Sequence, residues 1–352
     1  MADGGAQNKT IHFCDGQRNL CITFPVHARV GASARRAALA RRSLSAREPI
    51  SRWIETELRR HPPRAKSLVV TVWGDAIAPH GGAVWLGSLI RLLAPLGLNE
   101  RLVRTSVYRL AQEGWIEARP TGRRSLYRLT ASGRQRFEHA YRRIYAPPAS
   151  VWDGTWEIVL APAAALTSAE RDRLRRELGW EGFGAIASSI FARPAHDHHA
   201  PEVADLLRAM RVEQRVVVLR ASEAPKVGSR SLDDYVRDCW NLLRVASEYR
   251  ALLARFRVIA EYFRGARSVD AEQAFVVRSL LIHAFRRVTL HDPGLPDRLA
   301  PPGWPARDAY VLCRDLYRLT RRGAEAYLVA TLDTAEESVP PAARSLPRRF
   351  PR

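Results

Sequence analysis

Cysteine is scarce in this chain. Cys14, Cys21, Cys239 and Cys313 are the four present in 352 residues, too few and too scattered for a disulfide framework or a zinc module. A reducing, cytoplasmic compartment fits that count. No apolar run is long enough to cross a bilayer. The best candidate, Trp156 to Leu166, is short and interrupted by Glu157 and Pro162. No apolar signal-peptide core follows Met1. Phosphate-cradling glycine loops are missing as well, since Gly4-Gly5 and Gly81-Gly82 lack the required spacing and flanks, and there is no nucleophile elbow. Together these absences leave no strong case for an enzyme.

Acidic residues are also in deficit, 36 against 56 lysines and arginines, for a formal charge of +20 and a pI near 10.9. The excess comes from arginine far more than lysine. Such a field attracts polyanions, and the planar guanidinium suits phosphate and guanine better than a point charge does.

The most informative stretch is Val84 to Thr130. Leu86, Leu89, Ile90 and Leu93 fall on one face of a helix that Pro95 and Gly97 stop. Asn99 is a good N-cap for the next helix. There Leu102, Val103, Ser106, Val107 and Leu110 form the inward stripe, and Arg101, Arg104, Thr105 and Tyr108 repeat on the opposite face, with Arg109 beside them. Two guanidiniums, a hydroxyl and a phenol on one outward face can reach base edges and phosphates in a major groove. A hairpin follows, with Trp115 to Glu117 and Ser125 to Leu129 as strands and Arg119, Arg123 and Arg124 in the loop between them, where they can hold flanking phosphates. Helix, turn, helix and basic wing in this order predict a winged helix-turn-helix.

The expected organisation is α+β and multidomain. Residues 1–60 read as a disordered N-terminal extension and 61–146 as the DNA-binding domain. In that domain Ser67 to Asp75, β-branched though it is, could be the first helix. Thr130 to Tyr145 forms the last, with Phe137, Ala140, Tyr141 and Ile144 inward and Arg134, Arg136, Arg142 and Arg143 mostly outward. Residues 150–225 alternate strand and helix signals: Trp156 to Leu160, a helix capped by Thr167 and Glu170, the strand-like Phe183 to Phe191, a helix from Glu202 to Met210, and Arg215 to Leu219. This predicts a ferredoxin-like sandwich. Residues 230–332 read as a helical domain, with one long helix from a Ser231/Asp234 capping box to Gly265, a second over Val269 to Leu290, and two pieces, Ala306 to Thr320 and Ala324 to Thr331. Residues 333–352 read as a mobile tail.

Two further groups carry chemistry. His196-Asp197-His198-His199 is the most ligand-like run, but consecutive loop residues rarely converge on one metal, so no metal site and no cofactor are expected. His283, Arg286, Arg287, His291 and Trp304 surround a Pro-rich turn. They could bind an anionic aromatic ligand by charge and stacking, or they could simply cap helix carbonyls and fill a seam.

The run Ser67 to Asp75, the run Gly81 to Leu110, and Leu281 to Trp304 resemble the PaaX family, bacterial repressors of phenylacetic acid degradation genes, over roughly residues 60 to 330. The resemblance implies a winged-helix DNA reader, a central domain similar to the Cas2 nuclease fold, and a helical C-terminal domain. It also implies a homodimer on a double-stranded operator and an aryl-CoA thioester, typically phenylacetyl-CoA, as effector. The competing class is a metal-dependent nuclease or RNA-processing enzyme using Asp153 and the His196 cluster. Against it, the strand ending at Leu160 runs into Ala161-Pro162 without the acidic residue such a nuclease places there.

Overall fold

The computed structural model of the protein describes residues 48–148, 152–195, 200–222, 234, 238–266, 268–332, 340, 342 and 349–351. Helix α1 covers 48–60, which corrects the reading of 1–60 as wholly disordered. Its Ile50 is buried, its Trp53 Nε1 donates to the Arg255 carbonyl at 3.3 Å, and its buried Glu57 pairs with Arg255. Helix α2 spans Ala65–Val72 and runs into a π-helical turn, Trp73–Ile77. Every residue from Leu68 to Val72 is buried. A helix covered on all sides shows no stripe, so the β-branched run resembles a strand in sequence while packing makes it helical.

Strand β1 (Ala83–Trp85) leads into α3 (Leu86–Leu93), which buries Ser88, Leu89, Leu92 and Leu93. A 3-10 turn over Ala94–Leu96 follows, and Gly97, at φ +80°, reverses the chain where a side chain would be strained. Helix α4 (Glu100–Gln112) starts at Asn99, whose side chain accepts from the Leu102 amide at 2.9 Å. Losing such a cap costs about 1 kcal/mol. Val103, Ser106, Val107 and Leu110 are buried, but Leu102 is 42% exposed and leaves the expected stripe. Strands β2 (Ile116–Thr121) and β3 (Arg124–Leu129) complete a three-stranded antiparallel sheet in the order β1-β3-β2. Helix α5 (Ala131–Tyr145) is capped by Thr130.

The central unit is β4 (Thr155–Leu160), α6 (Ser168–Trp180), β5 (Gly184–Ala187), β6 (Ile190–Pro194), α7 (Ala200–Met210) and β7 (Val217–Ser222). Thr167 and Glu170 form the expected capping box. Phe183 to Phe191 is not one strand: β5 and β6 are separate antiparallel strands. The sheet order β5-β6-β4-β7, antiparallel throughout, is the ferredoxin-like arrangement. Its small core gathers Val159, Leu174, Leu178, Phe191, Val203 and Leu207.

Three long helices follow: α8 (Leu242–Gly265), α9 (Ala271–Thr289) and α10 (Ala306–Thr331). Helix α8 starts at Leu242 rather than Ser231, because Asn241 caps it by accepting from the Arg244 amide. The Ser231 half of the expected capping box lies outside the described residues. Helix α10 is continuous where two pieces were expected. Its Gly323 sits against α9 so closely that a Cβ there would lie 2.8 Å from the Ala274 Cβ, so this glycine serves contact between the helices rather than a break.

The principal core draws from both ends of the chain. Leu68, Trp73, Leu89 and Val107 share one buried cluster with Phe256, Val277, Leu281, Leu316 and Phe350. Arg349 and Phe350 are 5% and 1% exposed, which corrects the mobile-tail reading at these two residues. Each fully buried Leu or Phe contributes about 1.5–3 kcal/mol relative to exposure.

Candidate nucleic-acid interface

Helix α4 presents Arg101, Arg104, Thr105, Tyr108 and Arg109 to solvent, with Tyr108 65% exposed, while its opposite side packs inward. Local bonds hold the exposed groups. The Thr105 hydroxyl donates to the Arg101 carbonyl at 2.9 Å, and Arg104 Nε donates to Glu100 Oε1 at 2.7 Å. An exposed i,i+4 pair is worth only about 0.3–0.5 kcal/mol, so Arg104 can leave Glu100 for a phosphate or a guanine at small cost. Asn99 is occupied as the N-cap and acts on this face by fixing where the helix begins. Lys66 of α2 pairs with Glu113 and ties the far end of α4 to the domain.

The basic hairpin is tighter than the sequence implied. β2 runs to Thr121, β3 starts at Arg124, and Thr121 faces Arg124 in the ladder. The turn is Gly122-Arg123, with Gly122 at φ +58°. Arg119 therefore lies within a strand, opposite Leu126, and Arg123 is at the tip. Glu117 faces Arg128 across the ladder and pairs with it, and Arg119 Nε lies 3.9 Å from the same carboxylate. The Arg124 guanidinium sits over the Trp85 ring, 4.3 Å from its centroid. Arg119, Arg123 and Arg124 of this hairpin are all exposed.

The five residues expected to surround a ligand do not converge: they fall in four places. His283 is buried on α9 with Nδ1 3.0 Å from Thr71 Oγ1, and Arg286 Nη2 donates to Ser67 Oγ at 3.1 Å; both face α2. Thr71 spends its hydroxyl hydrogen on the Ser67 carbonyl. His283 must then donate from Nδ1, which leaves Nε2 as a buried acceptor without a partner. Burial first, and the cations Arg286, Arg287 and Arg255 next, push its pKa down to about 3. Burial, with Arg287 adding to it, also lowers Arg286, to about 10. Arg287 is exposed. His291 stacks on the half-exposed Trp180 at 5.6 Å. Trp304 packs edge-on to Tyr249 at 6.3 Å.

Sequence reasoning passed over the residues that join these regions. Arg143 was grouped with the outward arginines of α5, but it points inward: Nη1 donates to the Trp180 carbonyl and Nη2 to the carbonyls of Thr289 (3.4 Å) and Asp292 (2.7 Å). Burial lowers its pKa. Asp75, in the π-helical turn, accepts from Arg278 Nε and Arg349 Nη1, each at 2.8 Å, and from the hydroxyls of Tyr145 (2.5 Å) and Tyr317 (3.3 Å). No periodicity marks either residue. A buried acid in an apolar run was the available signal for Asp75.

Asp153, the candidate nuclease acid, is exposed and accepts from the Thr155 amide at 2.8 Å, a turn bond that also lowers its pKa. The His196 run lies outside the described residues. Among the described residues, no group of His, Cys, Asp or Glu could hold a metal ion, and no helix is long and apolar enough to cross a membrane.

Three family models match in chain order: PaaX-like protein over residues 64–133, the PaaX protein central Cas2-like domain over 149–234, and the PaaX-like protein C-terminal domain over 240–330. The transcriptional repressor PaaX of Escherichia coli (strain K12) is 33% identical over 280 residues, which cover 79% of this chain and 87% of that protein. The chain belongs to the PaaX family. Membership gives the central sheet its family description, the Cas2-like domain, and gives the helices after Asn241 theirs, the PaaX C-terminal domain. Among solved structures, the uncharacterized protein Rv0674 from Mycobacterium tuberculosis is similar at 22% identity and a TM-score of 0.41, covering 68% of this chain and 89% of that one.

Proposed function

We propose that this PaaX-family chain is a sequence-specific, DNA-binding transcriptional repressor whose α3, α4 and β1-β3-β2 sheet act as a winged helix-turn-helix. The observation that carries the reading is the exposed row Arg101, Arg104, Thr105 and Tyr108 on α4, next to a hairpin tipped by Arg123 and Arg124. That the Escherichia coli relative is a transcriptional repressor supports it. In this reading α4 enters the major groove and the hairpin holds the flanking backbone. The protein works in the cytoplasm as a homodimer, so two heads read an inverted repeat, and it performs no catalysis. It controls genes for phenylacetate-type aromatic catabolism, and an aryl-CoA thioester such as phenylacetyl-CoA relieves repression.

The test is a gel-shift titration on the DNA upstream of the chain's own reading frame. Binding that phenylacetyl-CoA releases, and that free phenylacetic acid leaves in place, is the expected result. Retention of the complex at all thioester concentrations overturns the effector assignment, and failure to shift that DNA overturns its choice as operator.

A further inference from the structure

We infer that Arg59, Arg60 and Arg64, where α1 gives way to α2, form a further DNA-backbone contact beside the exposed face of α4. The inference rests on the reading of α4 as the DNA-reading helix and goes beyond it by adding a surface that belongs neither to α4 nor to the hairpin.

Helix α1 is divided by charge. Its acids Glu48, Glu55 and Glu57 come before Leu58, and Arg59, Arg60 and His61 follow it. Glu48 pairs with Arg52, and the buried Glu57 pairs with Arg255 of α8. Arg59, Arg60 and Arg64 are exposed, and among the described residues none of the three has an ion pair or a side-chain hydrogen bond.

Two contacts fix where this stretch runs. Leu58 meets the turn that leads into α4, since a Cβ on Gly97 would lie 4.0 Å from Leu58 Cδ1. Lys66 pairs with Glu113, just past the other end of α4. The chain from Leu58 to Lys66 therefore passes from one end of α4 to the other and carries the three arginines with it. On α4, Leu102, Arg109 and Glu113 recur at steps of seven and four and so share one flank. That flank borders the row of Arg101, Thr105 and Tyr108, and its Leu102 and Arg109 are exposed. A helix in a major groove about 12 Å wide has a sugar-phosphate strand on either side. Cations along this flank stand where one such strand passes.

Arginines at the end of α1 also suit that helix's dipole, which by itself accounts for Arg59 and Arg60. It does not account for Arg64. Arg64 is the N-cap residue of α2, its side chain makes no capping bond, and the first turn of α2 holds Lys66 and no acid. Cations at a helix start are unfavourable. Lys66 has Glu113 to offset it, and Arg64 has no such partner. A polyanion along α4 supplies the missing counter-charge.

The experiment measures affinity of the full chain for a duplex covering the upstream DNA, and for an unrelated duplex, across a salt series, with thermal melting of each variant as a check on folding. Neutralising a phosphate releases a counterion, so Arg59→Ala, Arg60→Ala and Arg64→Ala should each lower the salt slope by about 0.9, and the triple variant by roughly two to three. Phosphate contacts carry no sequence information, so affinity should fall by a similar factor on both duplexes. Replacing all three with Lys keeps the charge and should keep most of the slope. Arg52→Ala, an exposed arginine nearer the start of α1, should leave the slope as it is. A folded triple-Ala protein with the wild-type slope overturns the inference. So does an equal loss in Arg52→Ala, which would make the effect one of net charge rather than place, and so does a loss confined to the upstream duplex, which would mark base readout. If the triple-Ala protein melts early, the single variants decide by the same slopes. A wild-type chain that binds neither duplex removes the DNA reading itself and this contact with it, a result distinct from an unchanged slope.

Discussion

The guanidinium of Arg349 donates through Nη1 to the Asp75 carboxylate at 2.8 Å, joining residues 274 positions apart. The same nitrogen reaches the Asp75 carbonyl at 2.6 Å, and Nη2 reaches the Gly74 carbonyl at 3.1 Å. A π-helical turn frees carbonyls that an α-helix would use, and an arginine from the far end of the chain takes them up. Phe350 follows, ringed by Tyr145, Tyr310 and Tyr317 at 5.1–5.5 Å. Arg349→Ala should destabilise the protein by about 3 kcal/mol, as loss of one partner of a buried ion pair does. Urea unfolding measures it, and a change below about 0.5 kcal/mol would show that Arg278 alone satisfies Asp75.

Two histidines should place maximal stability near pH 6.5. His80 stands between acceptors, with Nδ1 2.7 Å from the Pro340 carbonyl and Nε2 3.0 Å from Glu325 Oε2. Only the imidazolium can donate to both. Burial works to lower its pKa, with Arg278 adding to it, but the bonds to Glu325 and Pro340 outweigh them and raise it above 6.5. Its stabilisation is therefore complete below the unfolded value and is lost as pH rises through the folded one. His283 has the opposite sign: with its pKa held down to about 3, it is stabilising above 6.5 and costs stability as pH falls below that value. Unfolding free energies across pH 5 to 9 should form a peak. His80→Asn should flatten the alkaline limb and His283→Asn the acidic one; an unaltered limb in either variant would remove that histidine from the account.

Arg143 should not tolerate lysine. Its fork reaches carbonyls on α6 and at the end of α9 at once, and an ammonium cannot span them. Arg143→Lys should cost roughly 1–3 kcal/mol through carbonyls left unsatisfied. The change should also lower amide-exchange protection at both sites. Protection lost at one alone would show that Arg143 holds a single contact.

On the face proposed to meet DNA, Arg104→Ala should cost roughly 1–3 kcal/mol and relax specificity at one base position. Uniform loss on all sequences would make Arg104 a phosphate contact instead. Arg123→Ala should chiefly flatten the salt dependence, and an unchanged slope would take the tip of the wing out of the interface.

Local rules made much of this legible. Asn99, Thr130 and the Thr167–Glu170 box sit at the helix starts expected of them, because a cap is satisfied by amides two or three residues away. The inward residues of α4 followed the 3.6 period, Leu102 excepted. Features decided by distant partners were illegible. Nothing near Arg143 says that its guanidinium meets Trp180 and Asp292, and nothing near Gly323 says that Ala274 is its neighbour. The Pro- and Arg-rich composition after Thr331 reads as tail, because the acid that buries Arg349 lies in α2's continuation. The exposed arginines of α4 were visible by helical position; the indole beneath Arg124 needed the β1-β3 register.

The core that unites Leu68 and Trp73 with Leu316 and Phe350 bears on how the protein is made. Synthesis proceeds from the N-terminus, and domains ordinarily fold as they emerge. Here the N-terminal head shares its buried core with residues as late as Phe350, and Asp75, already paired with Arg278, gains its second guanidinium only when Arg349 has emerged. A nascent chain stalled short of residue 349 should carry an incomplete head, sticky to chaperones and poor at holding DNA.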